Sequence, residues 1–156
     1  MDRQALDKTD RRILTLLQSD GRMTNAELAQ RVNLSPSACL RRVQQLEKAG
    51  VIEGYAMIVS QEAIGRPDNV FVEVTLNSQH EDVLAAFEAA AQECPDIMEC
   101  YLMAGDADYL IRVAAADTRD YERIHKQYLS RFPGVARIRS SFAMRAICKK
   151  TAFDLQ

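Results

Sequence analysis

The hydropathy period of this chain begins to alternate between strand and helix near residue 60, and the order of periods beyond that point leaves few folds open. Residues 69–76, NVFVEVTL, put Val70, Val72, Val74 and Leu76 on one face, as a strand with one buried side requires. From Ser78 to Cys94 the apolar positions Val83, Leu84, Phe87, Ala90 and Ala91 follow a helical repeat. Ser78 with Glu81 reads as the capping box of that helix, and Pro95 ends it. IMECYLM (97–103) and DYLIRVAA (108–115) read as strands joined by a tight AGDA turn. Asp117 caps a second helix with Tyr121, Ile124, Tyr128 and Phe132 inward, stopped by Pro133-Gly134. The last strand alternates from Ile138 through Ser140, Phe142, Met144 and Ala146 to Cys148. The order β-α-β-β-α-β is the split, ferredoxin-like arrangement.

Before residue 60 the pattern is helical three times over. In LDKTDRRILTLLQSDG, Leu6, Ile13, Leu16 and Leu17 share a face, and Gly21 stops the helix. Thr24 and Glu27 form a capping box that opens a helix of barely two turns burying Leu28, Ala29 and Val32. Ser35-Pro36 is an N-cap followed by proline at the first helical position, and the helix it starts runs to about residue 49, before Gly50. Cys39, Val43 and Leu46 make its core stripe, leaving Ser37, Arg41, Arg42, Gln45 and Lys48 outside. A short helix, a tight turn and a longer helix with adjacent arginines is the helix-turn-helix layout. VIEGYAMIV (51–59) reads as a hairpin about Glu53-Gly54, which would be a wing. Domain boundaries of 1–60 and 70–156 follow, with 61–69, rich in Gly, Pro, Asp and Asn, as linker. The fold class is α+β.

Composition excludes more than it identifies. With 47% hydrophobic and 27% charged residues the chain is expected to fold, and no apolar run approaches a membrane span. The N-terminal residues are charged and carry no secretory signal, so the cytoplasm is the expected location. Four separated cysteines without a CxxC, and only two histidines, predict buried free thiols and no metal site. No GxSxG, GxGxxG or GxxxxGK[ST] occurs, and no nucleophile–base pair is recognisable, so neither an enzyme nor a cofactor is expected. Residues 1–60 carry nine Lys/Arg against seven Asp/Glu, whereas the whole chain has a formal charge of −2. That asymmetry fits a nucleic-acid contact in the first third. An α-helix fits the major groove, where base edges are distinguishable; Ser35 and Ser37 would come near phosphate or base edges, and Arg41, with Gln45 one turn on and Arg42 beside it, could reach guanine or phosphate. The AGDADYLI turn offers backbone amides at Gly105 and carboxylates at Asp106 and Asp108, the donors and acceptor that a zwitterionic amino acid needs; an ordinary hairpin bend would use the same residues.

Taken together, LDKTDRRIL…LQSDGRMTNAELAQRVNLSPSACLRRVQQLEKAGVIEGY and CYLMAGDADYLIRV…FPGVARIRSSF resemble the Lrp/AsnC (feast/famine) transcriptional regulators of bacteria and archaea, over essentially the whole chain. The resemblance implies a winged helix-turn-helix domain that binds double-stranded DNA and a ferredoxin-like domain that oligomerises and binds a small amino-acid effector at subunit interfaces, so modulating DNA binding. It implies homodimers that assemble further, in some relatives to octamers. DNA contacts are then expected from Thr24, Ser35, Pro36, Ser37, Arg41, Arg42 and Gln45. Effector contacts are expected from Met103, Ala104, Gly105, Asp106 and Asp108, with Ser140 and Ser141 on the last strand. Ser37-Ala38 stands where some members have Thr-Pro, which places the base-reading set in question. The alternative reading is an amino-acid sensor whose first domain contacts protein rather than DNA.

Overall fold

The computed structural model describes residues 6–155, and the chain divides into two compact units, Met1–Ile58 with Ile147–Gln156, and Val59–Ala146. Residues 147–155, expected to continue the second domain, thus cluster with the first.

In the first unit, α1 (Lys8–Ser19), α2 (Asn25–Arg31) and α3 (Pro36–Lys48) each begin at a side-chain cap. Asp7 accepts from the Asp10 amide at 2.7 Å, Thr24 and Glu27 make the reciprocal capping box, and Ser35 accepts from the Ala38 amide at 3.3 Å. Between α2 and α3 the backbone turns at Asn33, whose φ of 55° is left-handed, and the Leu34 amide reaches the Ala29 carbonyl at 2.9 Å. Ile13, Leu14, Leu28, Ala29, Val32, Cys39 and Leu46 form the core of this unit. Leu155 packs on the same cluster, and Phe153 exchanges hydrogen bonds with Gln18 of α1, its amide donating at 2.7 Å and its carbonyl accepting at 3.2 Å.

The expected hairpin over 51–59 does not form. The Val51 and Ile52 amides turn back to the Leu46 carbonyl at 2.9 and 3.2 Å, and the Tyr55 hydroxyl donates to Glu47 at 3.1 Å. These bonds tie the segment to the end of α3 rather than to itself, and no strand is assigned there.

The second unit contains β1 (Asp68–Leu76), α4 (Glu81–Glu93), β2 (Ile97–Leu102), β3 (Tyr109–Ala115), α5 (Thr118–Gln127), a 3-10 turn (Leu129–Arg131) and β4 (Val135–Phe142). The strands lie in the order β2-β3-β1-β4, every neighbouring pair antiparallel, which is the ferredoxin-like topology. Val70, Val72 and Val74 of β1, with Tyr109, Ile111 and Val113 of β3, meet Phe87 and Ala91 of α4 and Tyr121 and Ile124 of α5 in one core. Phe71, Glu73 and Thr75 therefore point to the opposite, open face of the sheet. Gly134, at φ 75°, enters β4 where a Cβ would stand 2.5 Å from Val83, so this turn admits only glycine.

Two expectations at the ends of these elements need correction. The helix expected from Ser78 starts at Glu81, because the Gln79 side chain is drawn to Asp108 at 2.6 Å and Ser78 Oγ accepts from the His80 amide at 3.2 Å; no capping box forms. The last strand ends at Phe142 rather than Cys148, because Phe142 already stands opposite Val70, near the start of its antiparallel partner β1 at Asp68. Of the four thiols expected to be buried, Cys39 and Cys94 are, whereas Cys100 and Cys148 are exposed.

Tyr109 carries a pH dependence for this unit. Its hydroxyl donates to Glu88 at 2.7 Å, and burial first, the neighbouring carboxylate second, push its pKa well above the ordinary value of 10.0. A phenol whose folded pKa is raised stabilises the fold below its unfolded pKa and ceases to do so as pH rises through the folded one. Stability of the second unit should therefore fall above pH 10.0, with Tyr109 phenolate absorbance appearing only as the protein unfolds. Ionisation of Tyr109 in the folded protein alongside the exposed Tyr101 would contradict this.

Candidate DNA-reading helix and effector cavity

Three side chains at four-residue spacing form the outer ridge of α3: Ser37, Arg41 and Gln45 are all exposed, and Cys39 and Leu46 anchor the opposite side. Ser35 and Pro36 start the helix beside them, with the Ser35 and Ser37 hydroxyls 3.2 Å apart. Asn25, which the sequence did not single out, donates to the Pro36 carbonyl at 2.8 Å and so ties the start of α2 to the start of α3. Thr24 is occupied by its capping box, its hydroxyl donating to Glu27 at 2.7 Å.

Arg42 does something different from its neighbour. Its guanidinium turns inward and reaches Asp7 at 2.7 Å and Asp10 at 2.8 Å, clamping the N-terminus of α1 to the middle of α3. The Asp10 amide, followed by Arg42, holds the Asp7 carboxyl below the usual carboxylate range. The expectation that Arg41 and Arg42 act as a pair on DNA therefore divides: Arg41 projects outward, and Arg42 orients the helix.

In the second unit the open sheet face and the β2–β3 loop enclose a cavity of about 290 Å³. Glu73 and Thr75 of β1, Leu110 of β3, Arg137 and Arg139 of β4, and the loop residues Met103 to Ala107 line it. Strand register accounts for the set, since Thr75 stands opposite Arg137, and Glu73 stands between Arg139 and Leu110. Arg139 and Glu73 pair through two contacts, at 2.9 and 3.2 Å.

The loop residues expected here, Met103, Ala104, Gly105 and Asp106, are at the cavity; Asp108, Ser140 and Ser141 are not among its lining. Asp108 is buried, with one oxygen accepting from the Leu76 amide at 2.7 Å and the other from Gln79 at 2.6 Å. Its main chain continues the latch, the amide donating to the Val74 carbonyl at 2.9 Å and the carbonyl accepting from Met103 at 2.8 Å. Asp108 thus fixes the base of the loop, with each carboxylate oxygen already accepting one hydrogen bond from the protein. Ser140 stands opposite Val72 and shares a short hydrogen bond with Tyr121 at 2.5 Å, which puts it on the helix-covered face. Ser141 pairs with Phe71 on the open face, beyond the cavity. Asp108→Asn, which keeps the shape but not the acceptor that Gln79 uses, should cost about 1–2 kcal/mol of stability in chemical denaturation. A variant as stable as the parent would show that the latch carries no weight.

The cavity residues missed by sequence reading, Glu73, Thr75, Leu110, Arg137 and Arg139, were reachable in principle. Alternation along β1 and β4 assigns them to the uncovered face once the buried positions are known.

These two sites sit in segments that match known families. Residues 69–153 match the model of the Lrp/AsnC ligand binding domain, and residues 6–53 that of a winged helix-turn-helix DNA-binding domain. The chain belongs to the Lrp/AsnC family. Among Lrp/AsnC relatives, the leucine-responsive regulatory proteins of Salmonella typhimurium and Escherichia coli K12 are each 42% identical over 142 residues, which is 91% of this chain and 87% of theirs. A Neisseria meningitidis transcriptional regulator solved as an L-Met complex superposes with a TM-score of 0.91 at 36% identity, covering 97% of both chains. An AsnC family regulator from Agrobacterium tumefaciens gives 0.90 at 34%, covering 96% of this chain and 97% of its own. As a member of the Lrp/AsnC family the chain is a DNA-binding transcriptional regulator whose second unit is an amino-acid ligand-binding domain. Among the described residues no three His, Cys, Asp or Glu side chains converge as a metal-binding group. No helix among them is long and apolar enough to cross a membrane.

Proposed function

We propose that this regulator reads duplex DNA through Ser37, Arg41 and Gln45 of α3, with Ser35 and Pro36 at the helix start against phosphate, and that an amino acid in the cavity beside Met103–Ala107 tunes that binding. The single observation that supports the reading most is the division between adjacent arginines. Arg42 is spent on holding α3 in place, and Arg41 is left outward on a ridge of hydrogen-bonding side chains. Such a ridge matches what the major groove presents, and a cation on it releases counterions from phosphate. The regulator acts without catalysing a reaction, in the cytoplasm, where its DNA is. Coupling between effector and DNA is expected at about 1–3 kcal/mol, a 5–150-fold change in duplex affinity.

The test has two arms. Duplex affinity should fall steeply with added salt, and a melting screen against the standard amino acids should raise the transition for those that bind. L-Leu and L-Met come first in the screen, because relatives are named for leucine response and one was solved with L-Met. No salt-dependent duplex affinity would return the first unit to the role of a protein-contact module.

The second unit is the proposed oligomerisation domain, forming homodimers and assemblies of them up to octamers. Phe71, 39% exposed, and Tyr101, 53% exposed, lie with Leu110 on the open face, an apolar surface that a further copy of the chain would cover. Phe71→Asp should shift sedimentation of the full chain toward the monomer. An unchanged sedimentation coefficient would place the contact elsewhere.

A further inference from the structure

The effector cavity carries four charged side chains, and only two of them are matched. Glu73 and Arg139 neutralise each other. Arg137 and Asp106 line the same cavity, and among the described residues neither has a hydrogen-bond or ion-pair partner. Arg137 stands opposite Thr75 on β4, so the sheet positions it, whereas Asp106 is carried by the loop whose base Asp108 latches. Met103 and Leu110 add the apolar wall.

Resting on the reading of this cavity as the effector site, we propose that Arg137 is the anchor for the effector's carboxylate. With Asp106 facing the ammonium, the pair selects α-amino acids whose side chains are uncharged. A zwitterion entering a partly enclosed site loses water from both charged ends, and each end needs a counter-charge to offset that loss. One unspent guanidinium and one unspent carboxylate supply those counter-charges, one for each end. A guanidinium also meets a carboxylate with two parallel donors, which fixes the orientation of the bound molecule as well as its charge. The four side chains sum to zero, so a neutral zwitterion leaves every charge matched. Glutamate or aspartate would bring a second carboxylate with only Arg139 to meet it, and Arg139 is already paired with Glu73. Lysine would bring a second ammonium onto the same pair. The uncharged side chain then lies against Met103 and Leu110. A loop-amide site for the carboxylate, with Gly105 presenting the donors, would leave Arg137 without a role.

Calorimetry on the full-length protein separates these outcomes, with L-Leu, L-Met, L-Glu, L-Lys and L-methioninamide as probes. The parent protein should bind L-Leu or L-Met and bind L-Glu, L-Lys and the carboxamide at least about 10-fold more weakly. Arg137→Gln should weaken L-Leu or L-Met by about 10-fold or more, as loss of a charge-assisted hydrogen bond implies. It should weaken the carboxamide no further, and Arg137→Lys should recover part of the loss. Melting of each variant establishes that the fold is intact; Arg137 is exposed, so it should be. Undiminished binding by Arg137→Gln, with the carboxamide still excluded, assigns the carboxylate to the loop amides and overturns the role of Arg137 while the effector site stands. Tighter binding of L-Glu than of L-Leu and L-Met overturns the charge selection. If none of the standard amino acids binds the parent at millimolar concentration, the effector reading of the cavity fails, and this inference fails with it.

Discussion

Phe87→Ala is expected to cost about 3–5 kcal/mol of unfolding free energy, the largest loss from any single substitution considered for this chain. Phe87 is fully buried at the centre of the second unit, where α4 meets the sheet. Its ring lies 4.4 Å from that of Tyr109 and 5.7 Å, edge to face, from that of Phe132. Truncation removes both aromatic contacts and opens a space that β1 and β3 cannot close without leaving their ladder. The loss also strips one wall from Tyr109, whose hydrogen bond to Glu88 depends on its position. A small domain has about 5–15 kcal/mol in total, so the variant should unfold at much lower urea, and part of it should be unfolded at growth temperature. Phe87→Leu, which fills most of the volume, should lose far less. A cost below about 1 kcal/mol for the alanine variant would mean that the core collapses around the gap.

The second large effect falls on DNA binding. Arg41→Ala should weaken a specific duplex by about 1–3 kcal/mol, up to roughly 100-fold, with thermal stability unchanged. If the guanidinium meets phosphate rather than a base, the loss is uniform across sequences and the salt slope drops by about one ion. Arg42→Ala should behave in the opposite way. It removes the clamp to Asp7 and Asp10, lowers the melting point of the first unit, and affects DNA through that loss. Protonation of Asp7 would weaken the same clamp, so the first unit should lose this stabilisation as pH falls through the lowered carboxyl range of Asp7. Equal loss of stability in both variants would overturn the division of roles. A double alanine variant would confuse the two effects, which is why the single substitutions are needed.

What could be read from the chain before its structure follows the range over which each interaction acts. Caps at Thr24, Ser35 and Asp117 bond to amides three residues on, and all three were legible. The alternation of Val70, Val72 and Val74 was legible for the same reason, since each strand repeats its pattern within a few residues. Adjacent arginines look identical in sequence, yet Arg42 is defined by Asp7, 35 residues away, and Arg41 by having no such partner among the described residues. Asp108 was expected to meet the effector from its place in the Gly-Asp-x-Asp turn, but the Leu76 amide, 32 residues back, bonds to it. Ser140 and Ser141 fall on opposite faces, and only the pairing of Val72 with Ser140 and of Phe71 with Ser141 says which is which. Arg137 entered the cavity through the same register. The hairpin expected over 51–59 and the capping box expected at Ser78 were both local patterns displaced by a polar group elsewhere, Glu47 in one case and Asp108 in the other.

The return of Phe153 and Leu155 to α1 makes the first unit discontinuous, and that bears on how the protein is made. A ribosome finishes Val59–Ala146 before it has added the residues that complete the unit begun first. At about 5–20 residues per second, roughly 5–20 s separate residue 58 from residue 155. During that interval the helices carrying Arg41 exist without the segment that bonds Gln18 and Arg11. The ferredoxin-like unit, encoded later, can close its core first. Maturation of DNA binding would then wait on synthesis of the segment that carries Phe153 and Leu155, after the ligand-binding half is already in shape.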